Sequence, residues 1–153
     1  MRCIRGEPEG TPTAGAGARP GPALLETVAW VHVEAGRLLA VRSRGRDAFY
    51  APGGKLEAGE GHGAALRREI AEELGIELDP ATIAPLVVID APAHDDPGRR
   101  LRMRCYTASA AGEPVAGNEI DEIGWLDDPL DTRCAPAVSR LLRHLGAEPG
   151  RDT

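Results

Sequence analysis

Aromatic side chains are nearly missing from this chain: one Phe, two Tyr and two Trp make up 3% of its 153 residues. Its core must therefore be filled mostly by Leu, Val, Ile and Ala, drawn from the 42% of residues that are hydrophobic. Cysteine is scarce too. Cys3, Cys105 and Cys134 are odd in number and form no C-x-x-C pair, which argues against a disulfide framework and for free thiols in a reducing compartment. No apolar run reaches the ~18 residues that suggest a membrane span, and no apolar segment follows Arg2 and Arg5 as in a secretory signal. The expectation is a cytoplasmic protein with no membrane partner. Positive charge is in deficit: 18 Lys and Arg face 24 Asp and Glu, a net charge of −6. That makes the chain a poor candidate for binding DNA or RNA, which needs cations on phosphates. It leaves room for a small anionic ligand held through a metal.

The length suits one domain. Residues 1–22 hold five glycines and four prolines and almost no large apolar side chain, so they cannot offset their ordering entropy. They are expected to form a disordered tail before a folded domain over 23–147, with a flexible end over 148–153. Residues 24–34 and 37–41 read as strands joined at Ala35-Gly36 into a hairpin. Residues 83–90 form another strand, and 91–99 a loop turning at Asp96-Pro97-Gly98. Residues 100–108 alternate, with Leu101, Met103 and Cys105 toward the core and Arg102, Arg104 and Tyr106 away from it. A last strand falls within 119–126. Residues 136–145 carry Val138, Leu141, Leu142 and Leu145 at helical spacing, with Gly146 as the stop. Strands mixed with two helices imply an α/β/α sandwich around a mixed β-sheet.

The most informative stretch is residues 54–76, GKLEAGEGHGAALRREIAEELGI. Residues 61–74 read as a helix, entered through Gly53-Gly54 and stopped by Gly75. At about 100° per residue, Glu69, Glu72 and Glu73 fall within an arc of roughly 100°. Leu66, Ile70 and Leu74 form the neighbouring apolar stripe, so Glu73 lies at the seam between acid and core. Carboxylates at these spacings repel one another. A hard cation such as Mg²⁺, which takes carboxylate, water and phosphate oxygens, would relieve that repulsion.

The same stretch matches G-x5-E-x7-R-E-U-x-E-E-x-G-U at every position, where U is aliphatic. Gly54, Glu60, Arg68, Glu69, Ile70, Glu72, Glu73, Gly75 and Ile76 fill it in order. It resembles the box of the Nudix hydrolases, and their α/β/α fold agrees with the strand and helix pattern. The resemblance implies Mg²⁺, with Mn²⁺ as a substitute, held by Glu69, Glu72 and Glu73 with a backbone carbonyl at Gly53 or Gly54. It implies water attack at phosphorus in a pyrophosphate, with Glu72 or Glu73 as general base. Glu119, just before a strand ending in Trp125-Leu126, is the candidate from outside the box, with Glu122 behind it. It also implies that Arg68 pairs with a box glutamate, while Glu60 meets the positive end of the helix dipole.

Arg42, Arg44, Arg46, Lys55, Arg102 and Arg104 are the candidates for gripping substrate phosphates, one or two of the arginines sufficing, since guanidinium groups suit bidentate contact. Phe49 and Tyr50 precede the box; one could stack on a base, though an aromatic there more often belongs to the core. His62 and His94 read as exposed. The implied function is hydrolysis of a small nucleoside di- or triphosphate to the monophosphate, by a monomer or homodimer. Pro92, 16 positions after Ile76, raises the alternative of an ADP-ribose or nucleotide-sugar pyrophosphatase. A non-catalytic nucleotide sensor of the same fold would be expected to lack a box glutamate, and this chain keeps them all.

Overall fold

The computed structural model describes residues 24–147; the tail expected over 1–22 and the flexible end over 148–153 lie outside it. Strand β1 (Leu24–Trp30) is the organising element. It pairs antiparallel with β4 (Gly53–Lys55) on one side and parallel with β7 (Asp96–Thr107) on the other, and β7 pairs antiparallel with β6 (Ala84–Ala93). A second sheet joins β2 (Val33–Glu34), β3 (Arg37–Ser43) and β9 (Ile120–Leu126). A third, small sheet pairs β5 (Glu77–Leu78) with β8 (Ala110–Ala111). Helix α1 spans His62–Leu74 and α2 spans Pro136–Ala147.

Period-2 alternation splits the core between the two helices. Val28 and Trp30 of β1, with Leu39 and Val41 of β3, pack with Leu66, Ile70 and Leu74 of α1. Ala29 and Val31, with Leu38 and Ala40, pack with Val138, Leu141 and Leu145 of α2. Strands β1 and β3 thus present a hydrophobic run because both of their faces are covered. This is the expected α/β/α sandwich with a mixed sheet.

Three local expectations need correction. Residues 24–34 are not one strand of a hairpin. β1 ends at Trp30, and only Val33–Glu34 pairs back onto Leu38 and Arg37. β1 instead pairs along its two edges with β4 and β7. Residues 91–99 are not a loop: β6 and β7 form a long hairpin, and the turn falls at His94-Asp95. Asp96-Pro97-Gly98 is absorbed in β7, where a register shift between Pro92 and Ala93 takes up the extra residues. Pro97 lies before the β1–β7 register begins at Arg100, so its missing N–H breaks no rung to β1. Finally, Gly146 does not stop α2, which continues to Ala147.

Candidate active site

Helix α1 begins after Gly61 without a side-chain cap and ends at Gly75, whose φ of 68° is left-handed and whose N–H donates to the Ala71 carbonyl at 3.0 Å. Its apolar stripe is fully buried, so the adjoining carboxylates are held against β4 and β1. The approach is close. Gly54 leaves no room for a side chain, since a Cβ there would sit 2.5 Å from the Glu69 carboxyl carbon. Gly53 has a φ of 149° and lies against the Val28 carbonyl. Glycine at 53 is required by backbone contact, glycine at 54 lets the Glu69 carboxylate lie against the chain, and the Gly53 N–H reaches Glu73.

Arg68 ties the start of the helix to the loop before it. Its Nε and Nη2 donate to Glu60 at 2.7 and 2.8 Å, and Nη1 donates to Glu69 at 3.1 Å. Nη2 also donates to the Lys55 carbonyl at 3.2 Å, and Nη1 lies 3.7 Å from Glu72. Glu60 accepts the Glu57 N–H at 2.9 Å. The Arg68 guanidinium holds the Glu60 carboxyl down at about 2. Arg68 therefore acts as a bracket for acids rather than as a contact to substrate.

Glu73 has different surroundings. It is half-buried and accepts a single hydrogen bond, from Gly53 N–H to Oε1 at 3.1 Å. Burial pushes its carboxyl up to about 8; the Gly53 N–H opposes this, and Glu69, Glu72 and Glu119 add repulsion. Burial also raises Glu69, against the pull of Arg68. A half-buried acid surrounded by other acids is the donor chemistry that a hard divalent cation satisfies. The side chains are not gathered into a ready ligand set, however. Among the described residues no three His, Cys, Asp or Glu converge to hold an ion. Arg68 engages Glu69 and Glu72, while the Gly53 N–H engages Glu73.

A cleft of about 400 Å³ opens beside the acids on the α2 side of the sheet. Glu69 and Glu73 line it together with Gly53, Gly54 and Lys55. Its apolar wall comes from small and medium side chains, among them Ala29, Leu101, Met103, Ala137 and Val138. The opposite rim is polar, and it includes Arg46 and Tyr50 from among the candidates. Arg46 Nη1 donates to Asp95 at 2.6 Å and to the Tyr50 hydroxyl at 3.2 Å. His94 Nε2 lies 2.8 Å from Asp47, whose carboxyl that bond holds below its ordinary value. His94 meets the Tyr50 ring edge-on at 5.9 Å. These contacts clip the loop after β3 to the tip of the β6–β7 hairpin. Arg46, Tyr50, His94 and Asp95 all line the cleft. Each clip joins residues 47 or 49 positions apart, so no local pattern could announce it.

The structure distributes the other candidates widely. Phe49 is buried in the core. Arg102 and Arg104 lie on the face of β7 opposite Met103 and Cys105, away from the cleft. They pair with Asp90 at 3.2 Å and Glu26 at 3.4 Å. Arg42 is engaged by Glu122 at 3.2 Å and Asp121 at 3.5 Å. The expected phosphate grip from these three therefore has no support in the geometry: neighbouring acids on the sheet already neutralise them. Arg44 is spent on the loop before β9, donating from Nη2 to the Asn118 carbonyl at 3.0 Å and from its backbone N–H to the Glu119 carbonyl at 2.7 Å. Of these candidates, Lys55 and Arg46 line the cleft. Glu119 is exposed and within electrostatic reach of Glu73.

Comparison with known proteins agrees with this geometry. The NUDIX domain family matches residues 24–128. The chain is 31% identical over 108 residues to a Mycobacterium tuberculosis protein named "Putative 8-oxo-dGTP diphosphatase 2", covering 63% of this chain and 72% of that one. Among solved structures, the MutT NUDIX hydrolase from Burkholderia pseudomallei is similar with a TM-score of 0.64 and 27% identity, over 80% of this chain and 97% of that one. The E. coli ORF135 protein gives a TM-score of 0.63 and 26% identity, over 86% and 96%. No described helix is long and apolar enough to cross a membrane. The complete box, the fold and the span of the family match together make this chain a Nudix hydrolase, a pyrophosphohydrolase of the family that generally uses a divalent metal.

Proposed function

We propose that the protein hydrolyses a nucleoside di- or triphosphate to the monophosphate with Mg²⁺, which Mn²⁺ can replace. The observation that carries this reading is that Glu69 and Glu73 line the same cleft as an apolar wall and two cations, Lys55 and Arg46. One compartment thus offers a place for metal, phosphates and base. Its volume lies within the ~300–1,000 Å³ usual for small-ligand sites.

Glu69, Glu72 and Glu73, with the Gly54 carbonyl, would hold the cation, which when bound polarises phosphoryl oxygens and activates water. Lys55 and Arg46 take the phosphate chain and keep it in line. Tyr50, the one aromatic on the cleft, packs its ring on the base. A water oxygen forms the new bond to phosphorus, the bridging P–O bond breaks toward phosphate or pyrophosphate, and a carboxylate accepts the water's proton. Glu119, on the loop whose Gly117 N–H bonds the Glu73 carbonyl, is the acceptor in this reading. The apolar wall also offers a base an aliphatic floor.

The test is a panel containing 8-oxo-dGTP, the common dNTPs and NDPs, and ADP-ribose, with phosphate and pyrophosphate release measured in Mg²⁺. The name of the mycobacterial relative makes 8-oxo-dGTP the first substrate to try. Nucleoside di- or triphosphates are expected to lead. ADP-ribose exceeding all of them by about a hundredfold in kcat/KM, some 2.7 kcal/mol, would replace this reading with the ADP-ribose alternative.

A further inference from the structure

The last carbonyls of a helix have no partner within it and must find donors elsewhere. In α1 those carbonyls lie directly behind the acids, and one short loop answers them. Val115 N–H donates to the Leu74 carbonyl at 2.9 Å, and Gly117 N–H donates to the Glu73 carbonyl at 2.8 Å. Gly117 packs so closely on this turn that a Cβ would run into the Glu72 carbonyl oxygen. Two residues later the same loop presents Glu119. There it is fastened from the other side, by the Arg44 backbone N–H to the Glu119 carbonyl and by the Arg44 guanidinium to the Asn118 carbonyl. Ile120 N–H closes the turn on the Gly117 carbonyl at 3.0 Å. Between these two fastenings Glu119 has little backbone freedom. Its place relative to Glu73 is set by main-chain bonds to the very helix that carries the acids.

We infer that Arg44 and Gly117 are positioning residues that hold Glu119 in register with the acids of α1, and that Arg44 does not contact substrate. The inference rests on the proposed role of Glu119 as the proton acceptor. A misplaced general base loses rate without losing substrate affinity, so the signature is a fall in kcat at constant KM. The bond from Arg44 runs to a backbone carbonyl, so lysine can replace its donor while methionine cannot.

The experiment compares Arg44→Met, Arg44→Lys, Gly117→Ala, Glu119→Gln and the double variant Arg44→Met/Glu119→Gln on the best nucleotide of the panel, with Mg²⁺. Arg44→Met should lower kcat about fivefold or more with KM within about twofold, and Arg44→Lys should recover most of that loss. Gly117→Ala should lower kcat about tenfold or more, and thermal melting checks that it folds. In the Glu119→Gln background, Arg44→Met should cost nothing further, because both changes disable one group. Three results would overturn the inference: a rise in KM at unchanged kcat in Arg44→Met, failure of lysine to rescue, or additive losses in the double variant. Should Glu119→Gln itself keep full kcat, the role of Glu119 falls, and the positioning inference falls with it. Additivity on top of a slow Glu119→Gln removes only the inference.

Discussion

The two rims of the cleft are built in opposite ways. The acid rim, Gly53 to Glu73, comes from one continuous stretch in which a turn feeds a helix. Its internal contacts, Arg68 to Glu60 and Gly53 to Glu73, span at most 20 residues. The polar rim, Arg46, Asp47, His94 and Asp95, is assembled from two segments that meet because the β6–β7 hairpin is long enough to reach the loop after β3. The acid rim is half-buried and packed on the core, whereas most polar-rim contacts are exposed ion pairs, individually weak in water. The contrast separates two functions. On the proposed function, chemistry, which needs fixed positions, would fall to the buried, glycine-gated helix, and substrate fit, which tolerates adjustment, to the exposed clip.

Breaking the acid rim should have the largest effect. Glu73→Gln keeps the shape but removes the charge from the best-placed carboxylate, and kcat should fall by about 10² or more with the melting temperature retained. Near wild-type turnover in that variant would sink the site assignment. Gly54→Ala should come next. Its Cβ would displace the Glu69 carboxylate, and a shift of that size in a reacting geometry costs on the order of tenfold or more in kcat. Circular dichroism and kcat measured together separate this from unfolding.

The polar rim should respond in KM instead. Arg46→Met or His94→Ala should raise KM about three- to tenfold and leave kcat close to wild type, because an exposed pair contributes roughly a kcal/mol. A kcat loss as large as that of Glu73→Gln would erase the distinction between the rims.

The smallest expected effect is one of stability with pH. The Glu60 carboxyl stands at about 2 in the folded chain against 4.5 unperturbed, because Arg68 bonds to its charged form. A depressed folded pKa stabilises above the unfolded value, and that stabilisation is lost as pH falls from about 4.5 toward 2. Melting temperatures over that window should therefore drop less steeply in Glu60→Gln than in wild type. Equal slopes would show that the pair contributes nothing to stability.

Legibility followed the same divide. Helix α1, its glycine entry and exit, and the grouping of Glu69, Glu72 and Glu73 were readable because helical period and capping chemistry act over a few residues. The alternation of Leu101, Met103 and Cys105 was readable for the same reason. The β6–β7 turn was misplaced because Asp96-Pro97-Gly98 is a strong local turn signal that the tertiary register overrode. Which of the arginines reaches the cleft was not readable, because sequence shows a guanidinium but not its partner. Arg102 and Asp90 become neighbours only once β6 lies beside β7, and Arg104 and Glu26 only once β1 does. Tyr50 was separated from Phe49 only by folding, which buried one and left the other on the cleft.

By itself, the sequence determined the family, the two-helix sandwich and the acid helix. All three rest on short-range spacing, which a linear chain records directly. The tertiary structure alone decided where the cleft lies, which cations reach it, and how the Glu119 loop is fastened to the back of α1. Those facts depend on pairings between distant segments. Their energy comes from main-chain bonds and burial, which any of several side chains could support, so the sequence carries no local mark of them.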